Sequence, residues 1–141
     1  MTSYKPVTPE TVQELKQIVG ERFVLYGDAE KLEPLSHDEV TEKQYHHMPD
    51  VAVRPESADE IAQIMRLANR HLIPVTPRGG GSGLSGGAVP VHGGIVLCTD
   101  RMNRIIEIDA DNMVAVVEPG VVTNDIDAAV AEHGLFFAGY P

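Results

Sequence analysis

Residues 79–87 read Gly79-Gly80-Gly81-Ser82-Gly83-Leu84-Ser85-Gly86-Gly87, so six of the chain's 13 glycines fall within nine positions. A cluster this dense costs backbone entropy and brings almost no side chains to pack, so it belongs to neither a helix nor a strand. What it offers is backbone that takes positive φ and comes close to a ligand. Successive N–H groups then converge on one anion, the nest that cradles phosphates. Ser82 and Ser85 add hydroxyl donors, and Arg78, following Pro77, adds a permanent positive charge. Apolar runs on both sides argue against a flexible Gly/Ser linker. The loop reads as the seat of a phosphate-bearing cofactor.

Two familiar phosphate motifs are excluded by context. Gly81-Ser82-Gly83-Leu84-Ser85-Gly86 fits G-x-G-x-x-G, follows a predicted strand at Pro74-Val75-Thr76, and has Glu107 at a suitable distance for a ribose contact. A dinucleotide fold needs a helix to open at the last glycines and face the pyrophosphate. Here Ala88-Val89-Pro90-Val91-His92-Gly93-Gly94 follows, and its proline and glycines stop any helix. A Walker loop fails because no Gly-Lys-Ser/Thr closes the run.

Around the loop the pattern alternates between helix and strand. Thr8 caps and Pro9 starts a helix carrying Val12, Leu15, Ile18 and Val19, which ends at Gly20. Residues 21–49 are charged and lack a sustained period, with a short strand predicted at Phe23-Val24-Leu25. Val51-Ala52-Val53 reads as a strand. Ser57 and Glu60 form a capping box for a helix with Ile61, Ile64, Met65 and Ala68 at helical spacing. Strands are then expected at Ile73–Thr76 and Gly94–Leu97. A hairpin follows, from Ile105–Asp109 to Met113–Val117, turning at Asp109-Ala110-Asp111-Asn112. Thr123 is expected to cap a last helix ending at Gly134, and Leu135-Phe136-Phe137 to begin a further strand. The fold class is α+β: a βαβ unit followed by antiparallel strands.

At 141 residues the chain is long enough for one real core. A net charge of -10 argues against nucleic acid, which requires basic surface. No apolar run approaches the roughly 18 residues of a membrane span, and the N-terminus lacks a signal-peptide stretch. The single cysteine, Cys98, lies within an apolar run and reads as a small buried hydrophobe. The expected location is cytoplasmic.

Three motifs in order carry a family resemblance: Pro77 to Pro90, then Arg101-Met102-Asn103-Arg104-Ile105, then Val117-Glu118-Pro119-Gly120-Val121. Together they resemble the FAD-binding domain of the FAD-linked oxidases, the vanillyl-alcohol oxidase superfamily with its PCMH-type FAD domain. Within it they are most similar to the group of the glycolate oxidase FAD-linked subunit and the D-lactate dehydrogenases. The resemblance divides the chain into a helical and extended segment, 1–45, and the N-terminal part of a PCMH-type domain, 46–141. It implies that Pro77, Arg78, Gly79, Gly80, Gly81, Ser82, Gly83, Leu84, Ser85, Gly86, Gly87 and Ala88 hold the FAD pyrophosphate. It also places Pro119, Gly120 and Val121 beside the cofactor, and Tyr140 and Pro141 at the start of a segment running along the flavin.

Members that attach FAD covalently carry a histidine after the paired glycines of this loop. Ser82 stands there, so the resemblance implies non-covalent FAD; His92, ten residues on, reads as an ordinary loop histidine. Family enzymes continue through a substrate domain that supplies the catalytic groups, so this chain reads as an N-terminal fragment with no catalytic residue of its own. The implied activity of the whole enzyme is oxidation of a small 2-hydroxy acid by hydride transfer to FAD, with electron-acceptor subunits as further partners. The alternatives are a stand-alone FAD or nucleotide module, and another FAD-linked oxidase such as an alkyldihydroxyacetonephosphate synthase. No metal site is expected. His46 and His47 beside Asp50 point apart on extended backbone, and Asp109, Asp111 and Asn112 lack the glycine and closing glutamate of a calcium loop. Glu118, before Pro-Gly, reads as a turn-ordering residue.

Overall fold

A computed structural model describes residues 3–40 and 45–139. Helix α1, Pro9–Val19, begins where Thr8 Oγ1 accepts from the Thr11 amide at 3.3 Å, and it ends at Gly20. A 3-10 turn at Glu21–Phe23 leads into strand β1, Val24–Tyr26. A short helix α2, Ala29–Leu32, runs into a second 3-10 turn at Glu33–Leu35. Strand β2 is Val51–Val53, and helix α3, Ala58–His71, follows with Ser57 Oγ accepting from the Glu60 amide at 3.2 Å. The Glu60 carboxylate reaches back to the Glu56 amide at 2.7 Å, one residue before the partner a strict capping box would use.

Strands β3, Val75–Arg78, and β4, Ile95–Cys98, complete a four-stranded sheet in the order β1-β2-β4-β3. Strands β2, β4 and β3 are parallel, and β1 lies antiparallel on β2, with Val24 opposite Val53. Residues 24–26 therefore build one edge of the sheet that carries the glycine loop on its other edge. Helices α1 and α3 cover one face. Leu15, Ile64, Val51, Val53 and Ile95 are fully buried there, with Val19, Leu67 and Leu97 around them. Alternation sends Ala52 and Val96 to the opposite face, under Leu32 with Leu25 and Leu35. The two central strands are apolar on both faces because both are covered, as parallel strands require.

Strands β5, Ile105–Asp109, and β6, Val114–Val117, form a separate two-stranded hairpin, and helix α4 spans Thr123–Ala131. Asn112 closes the hairpin turn, donating its amide to Asp109 Oδ1 at 3.0 Å and its side chain to Oδ2 at 2.7 Å. The architecture is α+β.

Several expectations shift: β1 runs Val24–Tyr26 and not Phe23–Leu25, and α4 ends at Ala131, before Gly134. Ile73 belongs to the exit of α3, its amide bonded to the Ala68 carbonyl, so β3 starts later and runs through Pro77 to Arg78. Pro77 costs nothing in a strand at the sheet's edge. Strand β4 ends at Cys98 rather than Leu97. Thr123 is the first helical residue, and Val122 precedes it without a side-chain cap. Leu135–Phe137 is not a strand: the Leu135 amide bonds to the Val130 carbonyl and the Phe137 amide to Asp127 Oδ1, folding the segment back on α4.

Candidate functional site

The glycine loop leaves β3 at Arg78, at the carboxyl end of the parallel strands, the side of an open sheet where ligands bind. Strand β4 leaves the sheet beside it, since the Thr99 amide donates to the Arg78 carbonyl at 3.0 Å. Thr99 Oγ1 then donates to the Pro119 carbonyl at 3.2 Å, and the Gly120 amide donates to the Met102 carbonyl at 2.8 Å. A Cβ on Gly120 would overlap the Thr99 carbonyl oxygen, so only glycine permits this approach. Glu118 locks the arrangement from below. Its Oε2 accepts from the Arg104 amide at 2.9 Å and its Oε1 from the Arg104 guanidinium at 2.6 Å. These bonds hold the Glu118 carboxyl below the ordinary carboxylate range. Three sequence motifs separated by tens of residues thus meet at one strand end.

The loop itself is exposed backbone. Among the described residues, the amides of Gly79 to Ser85 donate to no protein acceptor, while the Gly86 amide donates to Asp38 Oδ2 at 2.8 Å. Gly81 takes φ +73 and Gly86 φ +76, conformations that favour glycine. Val89 and Pro90 are buried and close the loop, with the Val89 amide returning to the Gly86 carbonyl at 3.1 Å. The rim joins the two segments, 77–88 and 119–121, at Gly79, where a Cβ would lie 4.0 Å from the Pro119 carbonyl oxygen. Tyr140 and Pro141 lie outside the described residues.

Arg78 departs from its expected use as a free charge for an anion. Its Nη1 donates to the His37 carbonyl at 2.7 Å and its Nη2 to the Pro34 carbonyl at 3.1 Å. The guanidinium lies against Gly81, where any Cβ would overlap it. Its charge remains under the loop, held in a fixed position.

Beside Gly79 and Gly80 opens a cleft of about 500 Å³, floored by Leu25, Ala52 and Cys98 and walled by Arg54 and Asp100. Burial pushes the Cys98 thiol upward, which keeps it a neutral, inert lining group. The Arg54 guanidinium bridges both Asp100 oxygens, at 3.1 and 2.9 Å from Nε, and lowers that carboxyl. Arg101 stacks on Phe23 at 3.3 Å from the ring centroid.

Residues 34–40 were silent in the sequence, yet they touch the loop directly. The Glu39 amide donates to the Gly83 carbonyl at 3.1 Å, and Asp38 is 5% exposed. The signal available was a charged Ser36-His37-Asp38-Glu39 run without periodicity, which does not point 45 residues downstream. His46 stacks on His37 with centroids 4.4 Å apart and planes 13° from parallel. With Glu33 they place ligand-type atoms within 4.8 Å of one another, but near-parallel rings direct their lone pairs side by side and not at one point.

A family model described as "FAD binding domain" matches residues 49–141, which contain every part of this rim contributed after β2. The chain belongs to the FAD-binding domain family. The amides left open and the glycine at 81 fit that cofactor's pyrophosphate, an anion needing several backbone donors at close range. Relatives of this FAD-binding domain include the glycolate oxidase subunit GlcD of Bacillus subtilis, 38% identical over 135 residues, covering 96% of this chain and 28% of that protein. A D-lactate dehydrogenase of Anaerostipes hadrus is 38% identical over 138 residues, covering 98% of the chain and 28% of the relative. Among solved structures, p-cresol methylhydroxylase with substrate bound superposes with a TM-score of 0.80 at 28% identity, over 94% of this chain and 27% of that one. The chain therefore spans a little over a quarter of the length of these three proteins.

Proposed function

We propose that the loop from Arg78 to Gly87, with the Pro119–Val121 turn, holds the pyrophosphate of non-covalently bound FAD in an enzyme that oxidises a small 2-hydroxy acid. The observation carrying this reading is the run of exposed amides from Gly79 to Ser85 that donate to no acceptor among the described residues. Exposed N–H groups left to solvent remain available to an anion that supplies several acceptors at once. Arg78 adds a positive charge under Gly81, and Gly120 lets the second turn close against the strand end. The cleft over Ala52 and Cys98 is apolar enough to take an aromatic ring of the cofactor. When bound, FAD would supply a two-electron acceptor for oxidising the 2-hydroxy acid to the 2-oxo acid. This chain's residues bind and orient the cofactor. Electron-acceptor subunits and a cytoplasmic location complete the reading, and the first 45 residues contribute α1 and the edge strand β1 to the domain of 46–141.

The substrate class rests on the glycolate and D-lactate relatives and on the Leu84-Ser85-Gly86-Gly87-Ala88-Val89-Pro90 stretch. Non-covalent attachment rests on Ser82. The natural full-length polypeptide should purify yellow, and acid denaturation should release its flavin through a filter; colour retained with the protein contradicts non-covalent binding. Glycolate or D-lactate should bleach the flavin anaerobically. Failure of every small 2-hydroxy acid to do so removes the substrate class. Loss of flavin in Gly81→Val, with circular dichroism unchanged, is the expected result for the loop.

A further inference from the structure

The glycine loop is crossed by a strap, Pro34–Val40, that leaves the second 3-10 turn, and the two ends of the loop meet opposite charges beneath it. Under Gly81 lies the Arg78 guanidinium, tied to the strap's Pro34 and His37 carbonyls. Under Gly83 and Gly86 lies the Asp38 carboxylate. Its Oδ2 accepts from the Gly86 amide at 2.8 Å, and its Oδ1 accepts from the Val40 amide at 3.0 Å. Oδ2 also stands 3.6 Å from where a Gly83 Cβ would lie. The strap is further pinned by the Glu39 amide on the Gly83 carbonyl.

A buried carboxylate is acceptor-only, and here it uses both oxygens on backbone amides. It does at Gly86 what a phosphate oxygen would do at a free nest amide. A second anion there would compete for the same N–H and meet a like charge at short range, in a partly desolvated site where repulsion is strong. The amides from Gly79 to Ser85 all lack a protein acceptor among the described residues, but only at the Gly79–Ser82 end is the fixed charge beneath them positive. We infer that the strap divides the loop into a phosphate-receiving half, Gly79–Ser82, and a braced half, Gly83–Gly86, and that Asp38 is the positioning residue that fixes this division. The inference deepens the pyrophosphate reading above and rests on it.

The sequence offers a direct readout. Within this chain Ser–Gly pairs occur only at 82–83 and 85–86, and an Arg–Gly pair only at 78–79. Pairwise labelling with carbonyl-13C serine or arginine and 15N glycine therefore selects the amides of Gly79, Gly83 and Gly86 within these 141 residues, and in the full-length protein Arg78→Lys and Ser85→Ala identify the Gly79 and Gly86 resonances by their loss. A Ser82→Ala variant, which removes one Ser–Gly pair, separates the last two. On adding FAD to the apoprotein, the Gly79 resonance should move strongly and that of Gly86 little. Comparable movement of both overturns the division while leaving the pyrophosphate reading intact. Bound FAD that moves none of the three overturns both. In Asp38→Asn and Asp38→Ala the Gly86 amide should become responsive to FAD, and Asp38→Ala should raise the FAD dissociation constant about tenfold or more, the loss of one charge-assisted brace. A folded Asp38→Ala protein whose Gly86 stays unresponsive overturns the role of Asp38. Should that variant not fold, the wild-type comparison of Gly79 with Gly86 decides the division by itself.

Discussion

Glu118 is buried, and both of its oxygens are committed to Arg104, which draws its carboxyl below the ordinary value of 4.5. A group depressed in this way stabilises the fold above its unfolded-state pKa, and the contribution disappears as pH falls through the lower folded value. Glu118→Gln should therefore be less stable than wild type at neutral pH, with the gap closing in acid. Urea midpoints at about pH 7 and about pH 3 test this, and an equal gap at both contradicts it. Glu118 was legible as a turn residue because Pro-Gly follows it; its partner was not, since an arginine 14 positions away carries no mark of the pairing. The same holds for Arg78. Its charge was plain in the sequence, but its commitment to two carbonyls of another segment was not.

Elements with one dominant period were legible almost to the residue. Helix α3 has its cap at Ser57 and an apolar stripe whose centre, Ile64, is fully buried between α1 and the sheet. Ile64→Ala should cost about 2–5 kcal/mol through lost transfer energy and the cavity left behind. Neighbouring Met65, 40% exposed, lies on the solvent side, and Met65→Ala should cost under about 1 kcal/mol. Chemical denaturation of both variants checks the contrast, and similar losses would place the stripe wrongly. Leu135–Phe137 went the other way. Three apolar residues fit a strand or a coil equally, and the choice was made by Val130 and Asp127, which offer bonds to the Leu135 and Phe137 amides.

At the scale of the whole molecule the apolar surface is uneven. Beside a well-covered sheet, the hairpin and α4 region leaves Met113 78% and Phe136 79% exposed, with Val114, Val116 and Val122 also open. No helix among the described residues is long and apolar enough to cross a membrane. Hydride transfer needs a substrate held in line with the flavin ring, and geometry of that kind accounts for much of the rate. Among the described residues the rim presents amides and a half-buried arginine, and the Asp100 carboxylate in the cleft wall is tied to Arg54. Glycolate or D-lactate should therefore reduce no dye with these 141 residues and added FAD, beyond a protein-free control. Turnover above that control would refute the assignment of this chain to cofactor binding alone.

The amino-acid order determined the local structure, because caps, turns and periodicity act within a few residues: the start of α1, the whole of α3, the hairpin turn at Asp109, and a glycine loop that cannot pack. It also carried the three motifs of the cofactor domain. Only the tertiary structure decided that those motifs share one strand end, and that Asp38 and Arg78 set opposite charges beneath the two halves of the loop. Those contacts span 41 and 48 residues of chain, and a hydrogen bond at such separation depends on how strands stack in a sheet and not on the identity of its neighbours in sequence.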